Sequence, residues 1–524
     1  MTDTRIGFDL CSSVVSSLCS SVFYRYFKDM VPKAAAAVLL VSWTVFGQSA
    51  AVQEKSERAK AAMSSRNFEE AVRLYTELVR ELPAVPGMKM NLGMAYCNSG
   101  RFNDAVKYLA LAVQADPALT QAWLLLGSAQ FEIGRPKEAI TSLQRYLKEK
   151  PGDPEALQIL GDAFLRTGQF QRSITVFRQV SEKVADSPRA WYGLGKSYEG
   201  LAGEVFAKLE KIAPESGYWF ALIADSRIAQ KQYASAFFFY RKALEKQPKL
   251  RGTHMAISRI YRATGHQEWA DKEEQKEAEL GEPDCEKEPL VCDFLGERYR
   301  EVLERDARQA SPESYYWQVQ AGNMLALAAF SKLAGLPPSL EVHELRAEIS
   351  RNQGRHWESA NEWQKALELD PDNPKIKHEL AVSLYLKRDY DAAKAVIDEL
   401  LKKEPQSGEL NYLAGAILLY KQQAERALPF LENAVQLSPE LTGAHSALGR
   451  AYMSLGEAAK AIPHLKEGLS SDEDGSLHFQ LAQAYQRTGQ KELARRTLAK
   501  YQEITKALQS EQKKLGEEVK ISPP

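Results

Sequence analysis

A chain of 524 residues that is 44% hydrophobic and 26% charged can bury a large core and is not disordered by composition. With 68 basic against 69 acidic residues and no long cationic run, it lacks the clustered charge that a nucleic-acid groove needs to displace counterions, so no nucleic-acid partner is expected. Its 31 glycines and 23 prolines fall at intervals that suit one long array of short helices as well as several globules, so internal repeats are sought before domains.

Residues 1–51 stand apart from the repeats. Lys33, an apolar stretch from Ala34 to Phe46, and small residues at Ser49 and Ala51 have the layout of a secretory signal peptide. The apolar run is 13 residues, short of the roughly 20 that a spanning helix needs. The expectation is export, with a cut after Ala51, to the periplasm or outside the cell. The alternative is an uncleaved anchor that holds the chain at the membrane, facing the periplasm. The residues ahead of Met30 carry no helix cap or repeat signature, which makes Met30 a second candidate start.

Beyond Ala51 the sequence repeats itself. Leu92, Gly93, Tyr96, Gly100, Phe102, Ala105, Leu109, Ala112 and Pro117 are followed 34 residues later by Leu126, Gly127, Gln130, Gly134, Pro136, Ala139, Leu143, Tyr146 and Pro151. Small residues such as Gly93 and Ala105 let two antiparallel helices close up, and large ones such as Tyr96 and Leu109 fill the space between them. Gly100 ends the first helix and Pro117 the second. The closing position recurs at Pro83, Pro117, Pro151, Ala185, Pro248, Glu282, Pro371, Pro405, Pro439 and Glu473. This register resembles the tetratricopeptide repeat, in an exported bacterial type, over about residues 52–508 apart from stretches near 188–216 and 285–339. The resemblance implies an all-α fold, a right-handed α-solenoid of stacked helix-turn-helix repeats with a concave groove.

The first irregular stretch has lost its turn. Trp191, Leu194, Gly195 and Tyr198 match first-helix places, and Ala202, Phe206, Leu209 and Pro214 match second-helix places after a five-residue deletion. The apolar positions from Trp191 to Leu209 form one stripe at the helical period, so a fused helix is expected near 191–213. Gly200 and Gly203 are points where it can bend. "LALAAFSKLAGLPPS" at 325–339 repeats "LAGEVFAKLEKIAPES" at 201–216, pairing Phe206 with Phe330 and Pro214 with Pro338, which makes a second fused helix near 313–336 the expectation. A missing turn rotates the next helix pair, so each fusion should dislocate the stack.

Between the copies, Cys285 and Cys292 flank "EKEPLV" in a polar link, and an oxidising compartment would join them as a disulfide. Without a second pair or a nearby histidine they make a poor zinc site. Cys97 falls on the buried face of its helix and is read as a small core residue. The organisation expected is an upstream segment 1–51, an amino-terminal arm 52–187, an irregular helical centre 188–339, a carboxy-terminal arm 340–508 ending in a charged helix that caps the stack, and a polar tail 509–524.

No catalytic constellation emerges. "LGKS" at 194–197 resembles the end of a phosphate loop, but the glycine needed five places before Gly195 is Ala190 and the segment is helical. His343 and His378 begin "HEL" without the second histidine of a zinc protease, and the other histidines are scattered. A non-catalytic protein without cofactor or metal is expected.

Function is then sought on the concave face, where the resemblance implies that first-helix places 5, 9, 12 and 13 project. In the carboxy-terminal arm these are Tyr385 and Leu386, Tyr412, Leu419 and Tyr420, Arg450 and Met453, then Phe479 and Arg487. Rings offer contact area at low entropic cost and guanidinium groups fork onto carboxylates, so a peptide or partner helix fits; the same rings can instead be packing between repeats. Place 9 of three early repeats holds Met94, Ser128 and Asp162, not the lysine and asparagine clamp that some relatives use for terminal carboxylates. Arg259, Arg262 and Arg351 are the groove-side arginines of the centre, with ion pairing as the simpler reading. The function expected is a protein-protein interaction scaffold of the cell envelope that binds peptide or helix segments. The alternatives are an accessory subunit of polysaccharide or lipid export and, remotely, an enzyme with a divergent centre; the membrane enters only through the uncleaved anchor.

Overall fold

The structure is a computed structural model and describes residues 50–305, 310–518 and 520–524. The apolar stretch Ala34–Phe46 lies outside the described residues, and the helix Ala50–Ser64 runs across the expected cut after Ala51. Every regular element among the described residues is helical.

The repeats are built as antiparallel helix pairs. Pro86–Asn98 packs on Phe102–Ala115, Thr120–Glu132 on Pro136–Glu149, and Pro154–Arg166 on Phe170–Lys183. In each pair a first-helix glycine faces a second-helix side chain: Gly93 meets Leu109, Gly127 meets Leu143 and Gly161 meets Phe177, at distances that leave no room for a Cβ. Leu109, Leu143 and Phe177 are fully buried there, each worth roughly 1.5–3 kcal/mol of transfer free energy. Gly100 at φ 74° and Gly134 at φ 75° make the left-handed turn that ends each first helix. The same device recurs downstream, where Gly415 faces Leu431 and Gly449 faces Leu465.

Both fused helices are present. Pro188–Ile212 is an unbroken helix of 25 residues, and Pro312–Ala334 is one of 23. They pack on each other, forming the most extensive helix pairing among the described residues. Gly195 lies under the ring of Phe330, and a Cβ built on Gly322 would sit 3.2 Å from Ala202 Cβ and 3.5 Å from the Tyr198 carbonyl oxygen. Residues 195 and 202 thus meet 330 and 322, so the helices run antiparallel. Position 322 is the duplicate of position 198, 124 residues on, and the two touch. A duplicated segment that packs antiparallel on its own copy places like residues at the crossing, as in a two-fold interface. Gly200 does not serve as a hinge: it accommodates the ring of Phe170 inside a continuous helix.

The described chain divides into two compact units. One contains the chain up to Ile212 with Asp284–Leu345 and Glu368–Lys375; the other contains Ala213–Pro283, Arg346–Leu367 and the chain from Ile376 on. The stretch 188–339 is therefore shared between units, and the chain passes from the first to the second where the first fused helix ends. In the first unit, Cys285 is bonded to Cys292, which lies in the first of two short helices, Pro289–Leu295 and Tyr299–Arg305, and Phe294 stands against Trp317 at 4.9 Å between ring centroids. In the second, the final helix runs Lys491–Glu518.

Candidate functional site

The second unit carries a concave cavity of about 950 Å³ on its last repeats. Its walls come from four first helices: Pro374–Leu386, Gly408–Tyr420, Thr442–Ser454 and Ser476–Arg487. Two of these helices are held to their partners where Gly415 meets Leu431 and Gly449 meets Leu465, which turns the seam inward and leaves the other face open.

Of the residues singled out from the sequence, Tyr385, Tyr412, Leu419, Tyr420, Arg450, Met453 and Arg487 line this cavity. Phe479 and Leu386 do not: Phe479 is turned to Tyr501, with ring centroids 5.3 Å apart, and Leu386 is exposed outside the lining. The tyrosines form a connected shelf. Tyr390 bridges Tyr385 at 5.8 Å and Tyr420 at 4.2 Å, while the Tyr412 hydroxyl closes over Gly443, where a Cβ would lie 3.1 Å away. Burial, then the neighbouring Tyr412 and Tyr390 hydroxyls, pushes the Tyr385 hydroxyl up to about 12, and burial raises that of Tyr412 as well. Both stay neutral donors at physiological pH. Tyr420 is 62% exposed, so beyond its contact with Tyr390 of the preceding repeat much of its ring is open to a partner.

The charged part of the cavity is mixed. Arg450 is exposed and has no carboxylate within ion-pair distance among the described residues; Arg487 is exposed and donates from Nη1 to the Met453 carbonyl at 3.2 Å. Opposite stands an acidic loop, Asp472, Glu473 and Asp474, whose role the groove register missed because it lies between helices. Asp472 accepts from the backbone N–H groups of Leu477 and His478 at 3.0 and 2.9 Å and from the His478 ring, and Asp474 caps Ser476 N at 2.8 Å. Glu473 is exposed at the rim. Gln480 also lines the cavity, and its buried Oε1 has no hydrogen-bond partner among the described residues. Such an acceptor costs about 1–3 kcal/mol unless an incoming N–H meets it.

Arg259 is exposed, and several other sequence candidates are held in structural contacts. Asp162 is paired with Arg189, Arg262 with Glu274 at 2.5 Å, and Arg351 with Glu379 at 2.6 Å, each across adjacent helices. His445 and His464, on the two helices of one repeat, approach Nδ1 to Nδ1 at 3.2 Å. No group of three or more His, Cys, Asp or Glu side chains suited to a metal occurs among the described residues.

Models of the tetratricopeptide repeat match residues 56–120, 98–154, 130–196, 353–417, 418–478 and 475–507, together more than half of the chain. Over 171 residues the chain is 24% identical to DnaJ homolog subfamily C member 3 of Gallus gallus, covering 30% of this chain and 34% of that protein. Over 125 residues it is 28% identical to the aspartyl/asparaginyl beta-hydroxylase of Mus musculus, covering 24% of this chain and 16% of that one. The chain thus spans about a third or less of these curated relatives. Among solved structures, MamA from Desulfovibrio magneticus RS-1 is 24% identical with a TM-score of 0.30, over 32% of this chain and 96% of that one. Yeast Tom70 is 16% identical with a TM-score of 0.28, over 86% and 92%.

Proposed function

This chain belongs to the tetratricopeptide repeat family, and with the cavity of its last four repeats in hand we propose that it is a non-catalytic scaffold that binds a peptide or helical segment of a protein partner there. The observation that carries the reading is the pairing of an exposed Tyr420 ring with an Arg450 that has no acidic partner among the described residues, both lining the cavity from successive first helices. An apolar segment bearing a carboxylate satisfies both: its side chains lie on the tyrosine shelf, and its acid forks onto Arg450. A backbone N–H of the same segment has Gln480 Oε1 as an acceptor.

The secretory layout of Lys33 to Ala51 supports a partner in the cell envelope, met by an exported chain. No helix among the described residues is long and apolar enough to cross a membrane. The partial match to a hydroxylase covers 16% of that protein. The test is a pull-down from envelope extract with the full chain and with Arg450→Glu. A partner segment retained by the first and lost by the second supports the reading; partners retained equally by both refute this cavity as the site.

A further inference from the structure

A second crevice is already filled by the chain itself. The segment Lys520–Pro524 follows the last helix and lies against the repeats of residues 217–279, within the same unit. Ile521 packs into the apolar cluster of Ala224, Phe237, Tyr240, Ile257 and Tyr261, with Trp269 at its edge. The Tyr261 hydroxyl donates to the Ser522 carbonyl at 2.6 Å, and Arg241 Nη1 donates to the Ser522 hydroxyl at 3.2 Å. Pro523 and Pro524 continue outward, exposed.

These contacts have the form of peptide recognition more than of helix packing. One partly buried aliphatic side chain lies against an apolar cluster, one backbone carbonyl is read by a buried donor, and one hydroxyl is read by a guanidinium. None depends on the residues being joined to the last helix. A following Pro-Pro pair fixes the backbone near polyproline II geometry, which lowers the entropy lost on docking. Burial pushes the Tyr261 hydroxyl up to about 12, so it remains a donor throughout the physiological range.

We propose that the crevice between the helices Tyr233–Lys246 and Thr253–Ala263 is a second peptide-binding site, specific for extended aliphatic-hydroxyl-proline segments, and that Ile521–Pro524 occupies it as a built-in competitor. A partner segment of this chemistry binds by displacing the chain's own. Tethering sets the local concentration of the internal segment at about the millimolar level, so a free peptide of moderate affinity meets an occupied site.

The probe is a fluorescein-labelled Lys-Ile-Ser-Pro-Pro peptide followed by anisotropy. A chain ended at Glu518 and the full-length variant Ile521→Asp should both bind it, and the unaltered chain should bind at least about tenfold more weakly, as expected for competition at that local concentration. Tyr261→Phe in the shortened chain should weaken binding about fivefold with its melting temperature kept, the effect of one hydrogen bond. A peptide with aspartate in place of isoleucine should not bind. Failure of both opened forms to bind, or equal binding by the opened and unaltered chains, overturns the proposal. The Arg450→Glu variant, which tests the other cavity, should leave this binding unchanged.

Discussion

Gly195 of one fused helix lies directly beneath the ring of Phe330 of the other, closer than any Cβ would permit. The contact joins the two copies of the duplicated block, and Tyr192 also touches the Phe330 ring, at 6.4 Å between centroids. Adding one methyl group at 195 forces either the ring or a helix to move. Gly195→Ala should therefore destabilise the protein by about 1–3 kcal/mol, the usual cost of overpacking, despite the higher helix propensity of alanine. Phe330→Leu in the same chain should recover part of the loss, because the two positions share one space. Urea melts of the two single variants and the double variant measure this; additive losses would show that the contact is not shared.

The fusion itself was legible because it leaves a periodic stripe from Trp191 to Leu209 with no glycine-turn-proline punctuation. That the two fusions embrace was not legible, since residues 195 and 330 are far apart in sequence and neither helix face announces its partner. Similarly, the groove register identified Tyr412, Tyr420 and Arg450 from places within helices. It had nothing to say about Asp472–Asp474, which belong to a loop, and it placed Phe479 in the groove although the helix Ser476–Arg487 presents Gln480 and Gln483 there instead. The docking of Ile521 was invisible for the same reason as the fused pair: five residues of tail carry no period.

Glu132 supplies a test by pH. Burial raises its carboxyl to about 8, opposed by Arg166 and Arg189 and assisted by Asp162. The folded chain thus holds a proton that the unfolded chain has released above about 4.5. Over the window from about 4.5 to 8 the native state binds more protons, so this group makes stability fall as pH rises, and the loss is complete above about 8. Glu132→Gln should remove that slope and make the variant the more stable form at pH 8, by about 1–3 kcal/mol given the screening nearby arginines provide. Denaturation midpoints of both chains at pH 5 and pH 8 check the sign.

Cys285 and Cys292 are bonded, and Cys97 is a buried free thiol whose ionisation burial suppresses. Of Cys97, Cys285 and Cys292, none should be alkylated in unreduced protein under native conditions, and after unfolding only Cys97 should take up the label. Replacing both bonded cysteines with serine frees a short loop and should cost about 2 kcal/mol on the chain-entropy account. The loss should appear as faster amide exchange over the short helices Pro289–Leu295, which contains Cys292, and Tyr299–Arg305, and not over the carboxy-terminal repeats.

The tyrosine shelf separates binding from packing within one repeat. Tyr420 is 62% exposed, whereas Tyr412 is partly buried with its hydroxyl over Gly443. Truncating an exposed ring removes little core, so Tyr420→Ala should alter stability by no more than about 0.5–1 kcal/mol. Tyr412→Ala opens space between two repeats and should cost about 3 kcal/mol or more, with a lower melting temperature. If the shelf holds a partner, Tyr420→Ala should still weaken binding by about 2 kcal/mol, the loss expected of an aromatic anchor. Arg450→Ala should weaken it with almost no effect on folding, and raising the salt concentration should diminish the difference between Arg450 and alanine at this exposed position. The measurements are a thermal melt and an affinity for each variant, made with the segment that the pull-down returns. Unaltered affinity in Tyr420→Ala and Arg450→Ala together would mean that these two residues contribute nothing to partner binding, and would leave the partly buried Tyr412 with the joining of two repeats as its role.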